Sequence, residues 1–207
     1  SKEAWERFFA GLKARGLTGM ELVTSDAHVG LLAALKSVYT EVAWQRCQYH
    51  FTTNIVKAAP KKEQEGLRTE LREMFAAKTV KEARERRDEI LRDYGDVAPK
   101  AMEILDEGFE DAMTVMLFPE TMRPPLRTSN HLERENGELE RRSSVIRIFP
   151  NAASLNRLMG AVLMERHDLM STRDPLFSSQ RITLAIIEAK PKLLKVAAEQ
   201  VKLLRAA

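Results

Sequence analysis

The spacing of apolar residues changes once along this chain, and that change limits the folds open to it. Near the front, two segments carry strand signals: MELVTS at residues 20–25 and EVAWQRC at 41–47. The first is short and partly β-branched, and the second sets Val42, Trp44 and Arg46 on one face against Ala43, Gln45 and Cys47 on the other. VGLLAALKSVY between them has helical spacing, as do Trp5, Phe8, Phe9 and Leu12 before them, with Gly16 placed to end that first helix. The front of the chain is therefore α/β in rhythm. From about Phe51 onward the patterned stretches are helical. Leu67, Leu71, Met74 and Phe75 follow Pro60, which suits a helix start. Thr79 and Glu82 have capping-box spacing ahead of Val80, Ala83, Ile90, Leu91 and Tyr94, and Gly95 suits the end. Met102, Leu105, Phe109, Met113 and Met116 form the stripe of a further helix, which FPETMRPP should break through Pro119, Pro124 and Pro125. A methionine stripe serves either a core or an adaptable surface, and this spacing favours the core.

Composition narrows the class. A chain of 207 residues with 44% apolar and 30% charged residues can bury a real core. It has no apolar run near the roughly 18 residues that a membrane span requires. SKEAWERFFAGLKARGL has no secretory h-region or cleavage site. A single cysteine, Cys47, excludes an internal disulfide framework and makes a reducing cytoplasm the expected compartment. The net charge of +3 permits a polyanionic partner without requiring one. No Ser-His-Asp or nucleophilic cysteine pattern stands out.

Three places carry chemistry. Asp26 stands where the first strand ends, followed at once by His28 and Gly30. Cys47 and His50, in CQYH, have the spacing of a zinc half-site, but no second ligand pair follows at a matching interval. They serve equally well as a small buried group and a helix cap. In RTSNHLERENGELERRSSVIRIFPN, residues 127–151, Asn130 and Glu133 have capping spacing, so a helix is expected from near His131 to about Arg142, with Glu133 in its first turn. Its charges suit a solvated face with pairs such as Glu138 and Arg142, and spacing alone leaves Glu133 a cap as readily as a catalyst.

Taken in order, VTSDAHVGL, WQRCQYHFTTN and TSNHLERENGELERRSSVIRIFPN resemble the second half of the catalytic domain of Mutator-type transposases from bacterial insertion sequences, over about residues 1–170. The resemblance implies an α/β, partial RNase H-like fold interrupted by an all-helical insertion and predominantly helical overall. Residues 1–56 would be the second half of the core, 57–125 the insertion, 126–172 the return to the core with the glutamate helix, and 173–207 a helical tail without a motif. Asp26 matches the second aspartate and Glu133 the glutamate of an Asp-Asp-Glu metal site. The first aspartate belongs on an earlier strand that this chain lacks, so the isolated chain is expected to be an inactive part of an enzyme.

The implied reaction is metal-dependent DNA strand cleavage and strand transfer. It uses two Mg²⁺ (or Mn²⁺) ions roughly 3.5–4 Å apart in the complete enzyme. His28, Cys47 and His50 would orient groups around the metals, since Mg²⁺ disfavours imidazole as a ligand. Arg134, Arg141, Arg142 and Arg147 either pair with Glu135, Glu138 and Glu140 or meet DNA phosphates. Trp44 belongs to the core or stacks on a base. The implied partners are double-stranded DNA, at terminal inverted repeats and target, and a homo-oligomeric copy, with no membrane, in a bacterial cytoplasm on nucleoid DNA. The alternative is a catalytically inactive fragment that only binds DNA or protein. Its tail stripe of Leu194, Ala197, Val201 and Leu204 suits a partner helix or packing on its own domain.

Overall fold

A computed structural model describes residues 1–174, 177 and 180–206, so residues 175, 176, 178, 179 and 207 of the expected tail lie outside the described residues. The chain divides into two compact units, Ser1–Thr128 with Ala185–Ala207, and Ser129–Leu184.

The first unit opens with α1 (Lys2–Ala14), which stops where Gly16 adopts φ +92°, a conformation that costs glycine nothing. Strand β1 (Leu22–Ser25), helix α2 (Val29–Val38) and strand β2 (Ala43–Arg46) follow. The strands are parallel, in register from Leu22 opposite Ala43 to Ser25 opposite Arg46. Phe9, Ala34, Leu35 and Trp44 form the core on which α1, α2 and the sheet close, with Trp5, Leu12 and Leu31 at its margin.

Four longer helices build the larger core: α3 (Gln48–Ala58), α4 (Gln64–Ala76), α5 (Val80–Tyr94) and α6 (Pro99–Ala112). Phe51, Ile55, Leu67, Leu71, Met74, Ile90, Leu105 and Phe109 meet there, so the methionine stripe is core, with Met102 and Met113 buried. Thr79 caps α5 as its spacing predicts, accepting a bond from the Glu82 N–H at 3.1 Å. The Glu82 carboxylate answers the Lys78 N–H, one position earlier than the reciprocal bond of a capping box.

Helix α6 ends at Ala112, before the prolines, for a tertiary reason. The Gln45 side chain on β2 donates to the Ala112 carbonyl at 2.7 Å and accepts from the Val115 N–H at 2.6 Å, and Gln48 donates to the same carbonyl. A 3-10 turn at Thr114–Leu117 therefore replaces the next helical turn. Pro124 and Pro125 begin the short α7 (Arg123–Leu126), where a missing N–H costs nothing.

Among the described residues no strand pairs with the outer edge of β2; side chains satisfy it. Lys36 Nζ donates to the Val42 carbonyl, Thr114 Oγ1 and Gln200 Nε2 donate to that of Trp44, and Gln45 Nε2 donates to that of Arg46. Gln200 lies on α10 (Gln180–Ala206), whose buried residues in this unit are Ala189, Leu193, Ala197 and Gln200. The tail stripe expected from Leu194, Ala197, Val201 and Leu204 is thus rotated by about one position, and the face holding Ala197 packs on its own unit.

The second unit contains α8 (Asn130–Ser144) and α9 (Ala152–Ser171). Arg166 grips Glu135 with two bonds of 2.6 and 2.7 Å, and Arg142 reaches Glu165, which ties the two helices together. Val162 is the one buried residue among the described residues of this unit. Beyond α8, Arg147 holds φ 60°, a left-handed conformation that side chains normally avoid. Among the described residues no helix is long and apolar enough to cross a membrane.

Candidate catalytic site

In the first unit the sheet gathers three of the candidate residues at one end. Asp26 follows β1 directly and is exposed, and its Oδ1 accepts the Ala27 N–H at 2.7 Å. The Cys47 N–H donates to the Ser25 carbonyl at 2.8 Å, which brings Cys47 to the same strand end. Cys47 is buried and occupies the N-cap position of α3, and His50 sits in the first turn of that helix with its ring against Tyr49. His28 caps α2 instead: its Nδ1 accepts the Leu31 N–H at 3.1 Å, so the neutral imidazole carries its proton on Nε2. Trp44 is core, with its indole N–H on Ser25 Oγ.

Arg46 is a residue that sequence reasoning passed over. Its guanidinium lies 4.2 Å above the Phe51 ring, and a Cβ on Gly108 would stand 2.2 Å from its Nη1. Burial lowers the Arg46 pKa, while Asp111, Asp26 and Glu107 act in the opposite direction. The only signal in the sequence was an arginine on the same strand face as a core tryptophan. Lys36, Asp111 and Gln200 were missed as well, because they meet only in three dimensions.

In the second unit Glu133 lies in the first turn of α8, as its spacing predicts, but Ser129 takes the N-cap place expected of Asn130. The Glu133 N–H donates to the Ser129 carbonyl, and Ser129 Oγ donates to the Glu133 carboxylate. Arg141 and Arg142 both bind Glu138 at 2.8–2.9 Å and hold its carboxyl down to about 2. Pairing within the helix therefore accounts for these two, through Glu138, while Glu135 goes to Arg166. Arg134 and Arg147 make no ion pair among the described residues. Asp26 and Glu133 lie on separate units.

The first unit thus holds a parallel strand–helix–strand arrangement with a carboxylate, a thiol and an imidazole at its end, followed by a helical block. The second unit opens with a charged helix carrying Glu133 in its first turn, and sequence comparison assigns the chain to a class of transposases. The family model for the transposases of the Mutator family matches residues 1–172, and the chain belongs to that family. Among curated relatives, it is 45% identical over 170 residues to the transposase for insertion sequence element IS256 in transposon Tn4001 of Staphylococcus aureus, covering 81% of this chain and 43% of the relative. It is 40% identical over 164 residues to the transposase for insertion sequence element IS1081 of Mycobacterium tuberculosis, covering 79% and 40%. With the transposase for ISRM5 of Rhizobium meliloti the identity is 38% over 168 residues, covering 81% and 42%. The chain thus spans about two fifths of the length of these relatives.

Proposed function

We propose that this chain is part of a metal-dependent transposase that cleaves DNA strands and transfers them at insertion-sequence ends, with Asp26 and Glu133 as two of its three carboxylates. The observation that carries the reading is the place of Asp26. It is an exposed carboxylate at the carboxyl end of one parallel strand, beside the end of the next, in a chain of this family. Ends of parallel strands are where open α/β sheets meet their ligands, and rigid backbone there holds a ligand atom in place.

The donor chemistry fits Mg²⁺ or Mn²⁺. Asp26 and Glu133 offer the oxygen atoms such ions take, whereas the Cys47 thiol and His50 imidazole are softer and suit an orienting role. His28 orients by capping α2. Two divalent ions, when bound, supply charge stabilisation to the attacking and leaving oxygens of an in-line phosphoryl transfer. On α8, Arg134 and Arg147 are the readier contacts for DNA phosphates. Arg141 and Arg142 reach DNA only by exchanging Glu138 for a phosphate, which a charge-assisted bond of similar strength allows.

The third carboxylate is proposed to come from the part of the polypeptide that the relatives have beyond the matched two fifths, leaving residues 1–207 by themselves inactive. Terminal inverted repeats and target DNA are the proposed substrates, a homo-oligomer the working form, and the bacterial cytoplasm the setting. An inactive association module acting through the tail is less well supported, because the Ala197 face of α10 is buried on its own unit.

The test is Asp26→Asn and Glu133→Gln in the complete transposase. Each should lower strand cleavage by about a thousand-fold or more while DNA binding stays within a few-fold of wild type. Wild-type cleavage by either variant would overturn the assignment of that residue.

A further inference from the structure

Gln200 lies on α10, beyond the residues 1–172 that the family model matches, yet its amide is buried against β2. In a parallel strand the N–H and C=O of one residue face the same side. The Ala43 and Cys47 N–H groups bond toward β1, to the carbonyls of Glu21 and Ser25, so Trp44 faces away from it. On that outer side the Trp44 N–H donates to Gln200 Oε1 at 3.0 Å, and Gln200 Nε2 donates to the Trp44 carbonyl at 2.9 Å. These are the two bonds that a further strand would make.

The amide is held from both ends. Its Oε1 also accepts Lys36 Nζ at 2.9 Å, and its Nε2 also donates to Asp111 Oδ1 at 2.8 Å. All four of its bonding positions are therefore used. The orientation is set as well, since a flipped amide would turn its NH₂ toward the Lys36 ammonium and the Trp44 N–H. Leu193 and Ala197 bury the same helix face beside it, so the clamp sits on a packed helix.

We infer that Gln200 is a positioning residue for the candidate site: its amide stands in for a third strand, fixes the outer edge of β2 at Trp44, and so sets where the strand delivers Arg46, Cys47 and His50. The inference rests on the reading of that strand end as part of the transposase site. Cys47 is three residues past Trp44 and starts α3, so a shift of the strand moves the thiol and the first helical turn together. A partner strand would allow register slip, which one saturated side chain on a helix does not.

The test uses the 207-residue chain as wild type, Gln200→Met and Gln200→Glu. Amide hydrogen exchange is read by NMR and Cys47 alkylation by iodoacetamide. Methionine keeps the length and loses the polar groups. The Trp44 amide should then exchange roughly tenfold or more faster, and Cys47 alkylation should rise by a similar factor, with the Leu105 and Phe109 amides unchanged. Glutamate keeps the acceptor that the Trp44 N–H and Lys36 use but turns its second oxygen toward the Trp44 carbonyl and the Asp111 carboxylate, two acceptors that Nε2 satisfied. It should therefore leave Trp44 exchanging at least several-fold faster than wild type. Unchanged Trp44 exchange and Cys47 alkylation in Gln200→Met would overturn the inference, as would acceleration that appears equally at Leu105, or wild-type Trp44 protection in Gln200→Glu. None of these readouts involves DNA or metal. Success here beside intact cleavage by Asp26→Asn would refute the transposase site and leave the clamp standing.

Discussion

Lys36 is a buried ammonium, and burial brings its pKa down from 10.5 to about 8, with Asp111 opposing. A lysine lowered in the folded state binds fewer protons there than when unfolded, so between about pH 8 and 10.5 stability rises with pH. Below pH 8 the full cost of the buried charge is present, up to about 3 kcal/mol. Chemical denaturation at pH 7.5 and pH 10 should show this rise in wild type and a flatter response in Lys36→Met; equal slopes would exclude Lys36 as the cause. Gly108 makes a second prediction at this scale. A methyl group there would meet the Arg46 guanidinium and the Phe51 ring at 2.2–2.8 Å, and Phe51 is fully buried. Gly108→Ala should therefore lower stability by about 2 kcal/mol in urea denaturation, despite its better helix propensity. Neither residue was legible as special in the sequence, since a lysine and a glycine on helices ordinarily mean solvent and flexibility.

Among the elements, α10 shows how far periodicity can be read. Leu194, Ala197, Val201 and Leu204 make the better apolar stripe on paper, yet Leu193 is 1% exposed and Leu194 is 38% exposed. The polar Gln200 belongs to the true buried face and hides it from any apolar count. Leu193→Ala should cost about 3 kcal/mol and Leu194→Ala less than about 1 kcal/mol, measured as shifts in the denaturation midpoint. The reverse order would restore the stripe read from the sequence. Thr79→Ala should cost about 1 kcal/mol through the lost cap of α5, a local signal that was read correctly.

For the molecule as a whole, the two units differ in what holds them. Residues 51–113 share a core of fully buried side chains, whereas α8 and α9 bury only Val162 among their described residues and are tied by exposed or half-exposed ion pairs. Such pairs contribute little and are screened by salt. Native-state hydrogen exchange should find amides in α8 and α9 opening at lower free energy than those of α3 and α6, with the gap widening in 0.5 M salt. Equal opening energies would mean that the units unfold together.

Local spacing by itself determined much of this protein. The strand that ends just before Asp26, the helices of residues 64–112 and the first-turn place of Glu133 follow from interactions within a few residues, which a sequence displays directly. The motif order likewise pointed to the Mutator family. Tertiary structure decided the rest. It ended α6 at Ala112 through a glutamine on β2, turned α10 by one position, committed His28 to a helix cap and sealed the edge of β2 with a side chain over 150 residues away. Those outcomes depend on hydrogen bonds between distant groups, and such bonds have no period for a sequence to show.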